Sequence, residues 1–274
     1  MNVIVLIKEV PDMDTVRFDT ENGRVDRSSA EAEINPFDLN ALQAAVELKE
    51  QGATVTVLTM GPPRAEKTVR DAYARGADLG VLLSDSKFGG ADTWATSVTL
   101  AAGIKKLGAF DLVLCGEKSV DGDTAQVGAE IAEILGIPHA YYVEHIQNVS
   151  KDSIQVRVED ICGSKQVREL TLPALISVTK NLNTVQLPEI RRKLLSLNVP
   201  ITKFGLEDMA GHTSQEQVGL KGSKTKVLKI YVPAEIQRNN RIYRDHFNQF
   251  QKNVWAELCK RNLLPNRGDQ HEII

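Results

Sequence analysis

One junction in the middle of the chain decides the fold, because an apolar run there gives way to a helical pattern. It reads Cys115-Gly116-Glu117-Lys118-Ser119-Val120-Asp121-Gly122-Asp123-Thr124-Ala125-Gln126-Val127-Gly128. The apolar residues 112–115 predict a buried strand, and a helix is expected to begin near Thr124. Such a strand-to-helix turn is typical of a phosphate site, because the first amides of a helix have no partners within that helix.

The polar residues of this junction predict how it would bind an anion. We expect Asp123 or Thr124 to cap the helix, and the amides of Ala125, Gln126 and Val127 to point toward the carboxyl edge of the sheet. The hydroxyl and amide side chains in the same turn offer further donors. The pattern also fits a plain turn followed by an N-cap. It matches neither of the standard glycine-rich nucleotide fingerprints.

The first half of the chain alternates strand-like and helix-like segments. The strand-like runs are residues 3–7, 54–58, 80–83 and 112–115, and the helix-like runs are residues 36–50, 64–75 and 93–107. This alternation predicts an α/β fold with an open, mostly parallel sheet and helices on both faces. Sheets of this kind bind ligands outside the carboxyl ends of their strands.

Two more strand exits should face the same edge. Residues 8–12 leave the first strand and residues 59–63 leave the second, where Met60 can contact a flat ring or simply pack in the core. Asn35 followed by Pro36 predicts the start of a helix, with Asp38 reaching back to the cap. Three convergent loops favour a nucleotide pocket more strongly than any one of them.

The second half has a different pattern. Residues 140–143, 153–158, 166–172 and 174–178 predict strands, two of them joined in a hairpin around residues 162–164, while residues 181–197 have no strand period. Beyond Pro200 the chain is polar, with one further strand at residues 226–231 and an amphipathic helix over residues 240–263. We expect a nucleotide-binding domain over residues 1–200 and a C-terminal arm over residues 201–274 that packs on a partner subunit.

Composition excludes several classes of protein. The 274 residues are 42% hydrophobic and 5% aromatic with a net charge of −3, which argues against disorder and against a nucleic-acid-binding surface. No apolar run approaches the roughly 20 residues that span a bilayer. The apolar N-terminus is expected to be a first strand rather than a signal peptide. Three dispersed cysteines favour a reducing compartment, so a cytoplasmic protein without membrane insertion is predicted.

The sequence offers no conventional catalytic or metal-binding group. Its five histidines are scattered, its cysteines form no metal-ligand pair, and no serine stands in a nucleophile motif. Cys115 belongs to an apolar strand, where an inert thiol is expected. The chemistry would therefore come from a bound cofactor.

Together these segments resemble the β subunit of an electron transfer flavoprotein. The resemblance rests on residues 8–12, 35–38, 59–62, 121–128 and 172–179, and the run Asp-Gly-Asp-Thr-Ala-Gln-Val-Gly at 121–128 is its most specific part. The family fold is an α/β domain of the adenine-nucleotide-binding, Rossmann-like type, paired with an α subunit that carries FAD.

The resemblance implies which residues bind the cofactor. They are Leu6, Asn35, Pro36, Phe37, Asp38, Met60, Gly61, Asp121, Gly122, Asp123, Thr124, Ala125, Gln126, Val127, Gly128 and Ala132. Members of the conventional type hold a structural AMP in this subunit. Gly122 and the Thr124-Ala125-Gln126 run are more similar to flavin-bifurcating members, which hold a second FAD here near the site where NADH delivers its hydride.

The resemblance also implies partners. These are an α subunit in a heterodimer, an acyl-CoA-type or related dehydrogenase, and ferredoxin if the complex bifurcates electrons. A loop after the 174–178 strand docks the dehydrogenase in this family, and Leu187 and Pro188 match its anchor. Two other hypotheses stay open: an ATP-binding or adenylating enzyme of the same fold, and a scaffold subunit with an empty pocket.

Overall fold

The computed structural model describes residues 1–12, 17–19, 24–26, 32–159, 164–226, 247–261 and 263. The chain divides into two compact units, Met1–Ile230 and Tyr231–Ile274. The turn expected at residues 162 and 163, and nearly all of the strand expected at residues 226–231, lie outside the described residues.

Among the described residues, the first unit contains the strands and all but one of the α-helices. The strands are β1 (Asn2–Leu6), β2 (Glu9–Pro11), β3 (Arg17–Asp19), β4 (Arg24–Asp26), β5 (Ala32–Ile34), β6 (Thr54–Met60), β7 (Leu79–Leu83), β8 (Leu112–Gly116), β9 (His139–Val149), β10 (Ser153–Val158), β11 (Gln166–Thr171), β12 (Ala174–Val178) and β13 (Thr202–Phe204). The helices are α1 (Pro36–Glu47), α2 (Glu66–Ala74), α3 (Thr93–Leu107), α4 (Val127–Leu135), α5 (Ile190–Ser196) and α6 (Gly219–Gly222).

A nine-stranded sheet organises this unit. Its order is β11-β10-β9-β12-β8-β1-β6-β7-β13. Every neighbouring pair from β9 to β13 is parallel, and β10 pairs antiparallel with both β9 and β11. The predicted α/β class, the mostly parallel sheet and the hairpin of residues 153–158 and 166–172 are confirmed.

Both faces of the sheet are covered, because the side chains of each central strand alternate between two buried layers. Along β1, Val3 and Val5 belong to the core cluster that α1 and α2 complete, while Ile4 and Leu6 belong to the cluster completed by α3 and α4. Strands buried on both sides are continuously apolar. The sequence of β8 therefore identified a central strand.

Several short elements were not predicted, and two of them matter for the second half of the chain. Helix α5 lies in the segment after β12 that showed no strand period, and β13 pairs in parallel with β7 at the edge of the sheet. Residues just beyond Pro200 thus extend the same sheet. The division into a domain ending at residue 200 and an arm that packs on a partner stays a prediction.

The described part of the second unit contains helix α7 (Phe247–Lys260). It falls within the helix expected over residues 240–263, whose first seven residues lie outside the described residues. Across the described ranges of the chain, every helix is too short or too polar to cross a bilayer.

Candidate functional site

A large cavity lies at the carboxyl edge of the sheet, where β1, β6, β7 and β8 end. Its volume is about 1190 Å³. Four chain segments that leave these strands form its walls, at residues 6–8, 60–63, 84–93 and 115–128. The expected convergence of the first-strand, second-strand and 115–128 junctions is therefore present in the structure.

Asp38, in the first turn of α1, ties two of these strand exits together. Its Oδ2 accepts a hydrogen bond from the backbone amide of Lys8 at 2.9 Å, and its Oδ1 accepts one from the amide of Gly116 at 3.0 Å. Burial raises the pKa of the carboxyl to about 7, and these hydrogen bonds partly oppose that rise. The side chain thus holds β1 and β8 at a fixed separation behind the cavity.

Asn35 occupies the predicted N-cap position of α1, with Pro36 as the first helical residue, but its side chain forms no capping bond. It binds the loop after β8 instead. Its Nδ2 donates to the carbonyl oxygen of Lys118 at 2.8 Å, and its Oδ1 accepts from the amide of Val120 at 3.1 Å. Asn35 is fully buried by these contacts. It therefore fixes the path of the loop that precedes α4.

Helix α4 begins later than the sequence predicted. Its N-cap is Gln126, which makes no side-chain capping bond, so the expected cap at Asp123 or Thr124 is wrong. The physical reason is the backbone: Asp123 and Ala125 both have φ of 53°, in the left-handed region, and a helix cannot start there. The amide of Ala129 in the first turn is already bound by the Tyr141 hydroxyl at 2.8 Å. The amide of Ala129 is therefore not free to bind an anionic ligand.

Two ion pairs flank the cavity. Lys8 Nζ lies 2.6 Å from Asp121 Oδ1, and Lys118 Nζ lies 2.8 Å from Asp123 Oδ1. The Asp123 carboxylate raises the pKa of Lys118, whose ammonium also lies 5.8 Å from the centre of the Phe37 ring. Both lysines line the cavity. Each ammonium is paired with a carboxylate, so the two ion pairs together add no net charge beside the turn.

Asp92 caps α3 at the opposite wall. Its Oδ1 accepts from the amide of Ala95 at 3.0 Å, and its Oδ2 accepts from the amides of Lys224 and Thr225 and from the Thr225 hydroxyl at 2.7–3.0 Å. Burial raises the pKa of Asp92, but these hydrogen bonds outweigh it and leave the pKa below the usual value. Asp92 fastens the last described residues of the first unit to the rim of the cavity.

Most of the residues expected to bind a cofactor line this cavity. They are Leu6, Asn35, Asp38, Met60, Gly61, Asp121, Gly122, Thr124, Ala125, Gln126, Val127 and Gly128. The other four do not: Pro36 and Asp123 are exposed, Phe37 packs beside Lys118, and Ala132 is fully buried in the core. Leu187 and Pro188 lie outside the cavity, and the Leu187 side chain is 88% exposed.

Sequence reasoning missed the wall formed after β7. Residues 84–86 and 89–93, together with Tyr141 from β9, line the cavity but were not proposed as site residues. Gly89-Gly90 followed by Asp92-Thr93 at the start of a helix was a readable signal, because an Asp cap after glycines resembles the 121–128 junction. Tyr141 carried no such signal.

Cys115 also lines the cavity, and its thiol is an unreactive group. Burial is the main reason that the pKa of this thiol is raised well above its usual range, and the nearby Asp38 carboxyl adds to the effect. A thiol that stays protonated is a poor nucleophile. The prediction of an inert Cys115 is thus consistent with its surroundings.

The fold and this cavity define a class: an α/β protein whose ligand site lies where open parallel sheets bind nucleotides. Residues 22–205 match the electron transfer flavoprotein domain. The chain belongs to the electron transfer flavoprotein family, among its β subunits.

Curated relatives support this assignment along most of the chain. Subunit CarD of the caffeyl-CoA reductase-Etf complex of Acetobacterium woodii is 43% identical over 96% of this chain and 100% of its own. The electron transfer flavoprotein subunit beta of Clostridium acetobutylicum is 44% identical over 84% of this chain and 87% of its own. Protein FixA of Azorhizobium caulinodans is 39% identical over 85% of both chains.

Proposed function

We propose that this chain is the β subunit of a flavin-bifurcating electron transfer flavoprotein. With an α subunit it would hold FAD in the cavity at the carboxyl edge of the sheet. The complex would transfer electrons between NADH, ferredoxin and an acyl-CoA-type or related dehydrogenase in the cytoplasm. The observation that carries this proposal is the size of the cavity, together with the left-handed turn at residues 123–125 that leads into α4.

The cavity fits a dinucleotide in size. Its volume of about 1190 Å³ exceeds the roughly 300–1,000 Å³ of pockets for drug-sized ligands. A mononucleotide would leave much of that space to water, whereas FAD joins an adenosine and a flavin through a pyrophosphate. The size of the site therefore favours FAD over AMP.

The chemistry of the lining also fits. The polar part holds Lys8, Lys118 and the start of α4, which suit a pyrophosphate. The apolar part holds Met60, Phe88 and Leu100, which suit a flat ring. One cavity thus offers both kinds of contact that FAD requires.

Bound FAD would supply the redox chemistry, since it can accept and release electrons one or two at a time. The residues of this chain would bind and orient it. Lys8 and Lys118 would exchange their carboxylate partners Asp121 and Asp123 for the pyrophosphate. The apolar wall would exclude water from the ring, and Asn35 and Asp38 would keep the strand exits in place. None of these side chains needs to transfer a proton for that role.

The name of one relative supports an acyl-CoA-type redox partner, because CarD is a subunit of a caffeyl-CoA reductase-Etf complex and aligns over its whole length. The runner-up is a conventional β subunit that holds a structural AMP, with one FAD in the heterodimer. An ATP-binding or adenylating enzyme would need acid, base or pyrophosphate-binding motifs that the sequence does not contain.

The deciding experiment counts cofactors. The chain is produced together with its α subunit, the complex is denatured, and released FAD and AMP are quantified per heterodimer. We expect two FAD and no AMP. One FAD and one AMP would refute the bifurcating assignment and leave the conventional carrier, and ATP hydrolysis by the chain alone would favour the enzyme.

A charge variant locates the second FAD. Thr124→Glu adds a carboxylate at the exposed phosphate end of the cavity, so we expect it to release one of the two FAD molecules. Thr171→Glu, which makes the same change on the exposed edge strand β11, is the control and should retain both. Equal retention in the two variants would place the second FAD elsewhere.

A further inference from the structure

Helix α5 presents apolar side chains to solvent instead of burying them. Ile190 is 80% exposed, Leu194 63% and Leu197 61%, and Leu187 just before the helix is 88% exposed. Ser196 is the buried residue of the helix. This arrangement reverses that of an ordinary surface helix, whose apolar side packs on the core.

Three of the exposed apolar residues of this segment form one stripe, and Leu195, which is 59% exposed, lies off it at i+5 from Ile190. Ile190, Leu194 and Leu197 are at i, i+4 and i+7, so they share a side of the helix. Arg192 and Ser196 lie on the opposite side, at i+2 and i+6, and that side faces α2. A Cβ built at Gly76, just beyond the end of α2, would lie 3.0 Å from Arg192 Nη1.

Polar contacts from α2 hold the helix in this orientation. Arg70 Nη1 donates to the carbonyl oxygens of Ser196, Leu197 and Val199 at 2.7, 2.9 and 3.2 Å. The Tyr73 hydroxyl donates to the carbonyl oxygen of Pro200 at 2.9 Å. The last carbonyls of a helix lack partners within it, and a guanidinium suits them in both geometry and charge. Arg70 therefore replaces apolar burial as the main attachment of α5.

We propose that Arg70 is a positioning residue for partner docking: by binding the carbonyl oxygens at the end of α5, it keeps Ile190, Leu194 and Leu197 facing outward as one contact surface. This inference rests on the proposed function, because it assigns the surface to the redox partner protein. It adds Ile190, Leu194 and Leu197 to the expected anchor at Leu187, which lies just before the helix.

The charges around the stripe specify the partner. Arg191 and Lys193 are exposed on the two flanks of the stripe, whereas Arg192, on the side that faces α2, is paired with Glu189 at 3.5 Å. The matching surface is an apolar groove whose rim carries carboxylates. A dehydrogenase with such a groove is the occupant to which the proposal commits.

Amide exchange on the full chain tests the positioning role without any partner. In Arg70→Ala, we expect the amides of residues 191–199 to exchange at least about tenfold faster, with β1 and β8 unchanged. Arg70→Lys retains the charge and should restore part of the protection. Lys67→Ala removes a positive charge from an exposed position of the same helix and should change nothing. Unchanged exchange in Arg70→Ala would overturn the proposal.

Docking is measured with a purified short-chain acyl-CoA dehydrogenase as the acceptor for the complete α–β complex. We expect Arg70→Ala to raise KM for the dehydrogenase about tenfold with kcat within a factor of two and FAD content unaltered. Leu194→Ser should raise KM without faster exchange, and Lys67→Ala should match the wild type. An unaltered KM in Arg70→Ala would overturn the docking role. A wild-type complex that reduces no dehydrogenase would refute the proposed function, while the exchange result would still decide the positioning role.

Discussion

The buried carboxyl of Asp38 should make the stability of this protein fall between pH 5 and pH 8. Its pKa is about 7 in the folded chain, against roughly 3.9 for an unperturbed aspartate. A raised pKa in the folded state means that the folded chain binds the proton more tightly. The protonated carboxyl of Asp38 therefore contributes its full stabilisation below the pKa of the unfolded state. This contribution is lost as the pH rises through the pKa of the folded state.

The magnitude follows from the shift. About 3 pH units correspond to ~4 kcal/mol over the full range, and about 2.5 kcal/mol of this falls between pH 5 and pH 8. Asp38→Asn removes the titration. The difference in unfolding free energy, wild type minus variant, should therefore decrease by about 2.5 kcal/mol across that interval, and other titrating groups cancel in the difference.

Urea denaturation of the full-length chain, followed by tryptophan fluorescence, measures this difference. With an m value of about 3 kcal/mol/M, the gap between the two midpoints should change by ~0.8 M from pH 5 to pH 8. Asn40→Ala is the matched control. It removes a buried side chain of the same helix that donates to Asn183 at 2.9 and 3.1 Å, so its cost should be the same at every pH.

Two results would refute the reasoning. A constant difference between wild type and Asp38→Asn would mean that the amides of Lys8 and Gly116 fully compensate the ionised carboxylate. A difference that grows as the pH rises from about 3 to about 5, and is constant above that, would mean that they overcompensate it and hold the pKa below its usual value. Either result would mean that the Asp38 carboxyl is ionised in the folded chain throughout the interval from pH 5 to pH 8.

Two further substitutions test the cavity walls. Gly116→Ala should lower the unfolding free energy by about 1–3 kcal/mol, because its Cβ would lie 2.6 Å from the Phe37 Cβ and 2.7 Å from the Phe37 carbonyl carbon. Gly122→Ala is the control: its Cβ would meet only the Ser119 hydroxyl, at 3.3 Å, so the unfolding free energy should change little. An equal loss of unfolding free energy in the two variants would contradict the prediction. Asp92→Ala removes the cap of α3 and should lower the unfolding free energy by about 1–2 kcal/mol. Amide exchange should become faster at Lys224 and Thr225 but not in β7, because Asp92 binds those two amides. Unchanged exchange there would refute the proposed attachment.

The regular elements could be predicted because their sequence pattern and their burial coincide. The apolar runs at residues 54–58 and 112–115 became β6 and β8, and the helical spacing of residues 93–107 became α3, since each buries the side that the pattern marks. Local composition was sufficient for these elements. The same reasoning located three of the four loops that form the cavity.

The remaining features depend on contacts between distant residues. Asp38 was expected to reach back to the cap of its own helix, and its carboxyl does interact with Asn35 there, but its oxygens also accept hydrogen bonds from amides 30 and 78 residues away. Asp123 and Thr124 are residue types that often cap helices. The left-handed backbone at Asp123 and Ala125 nevertheless prevents a helix from beginning there, and α4 begins at Val127. Helix α5 escaped notice because backbone carbonyls rather than apolar side chains attach it. Amphipathic periodicity cannot reveal such an element.

The strand order also has a consequence for biosynthesis. Strand β12, at residues 174–178, lies between β8 and β9, so the centre of the sheet stays incomplete until nearly two thirds of the chain has been made. Until then β8 and β9 each expose an unpaired edge of backbone donors and acceptors, which invites association with other nascent chains. The wall of the cavity that β8 supports also forms late. Cofactor loading is therefore expected to follow release of this segment from the ribosome.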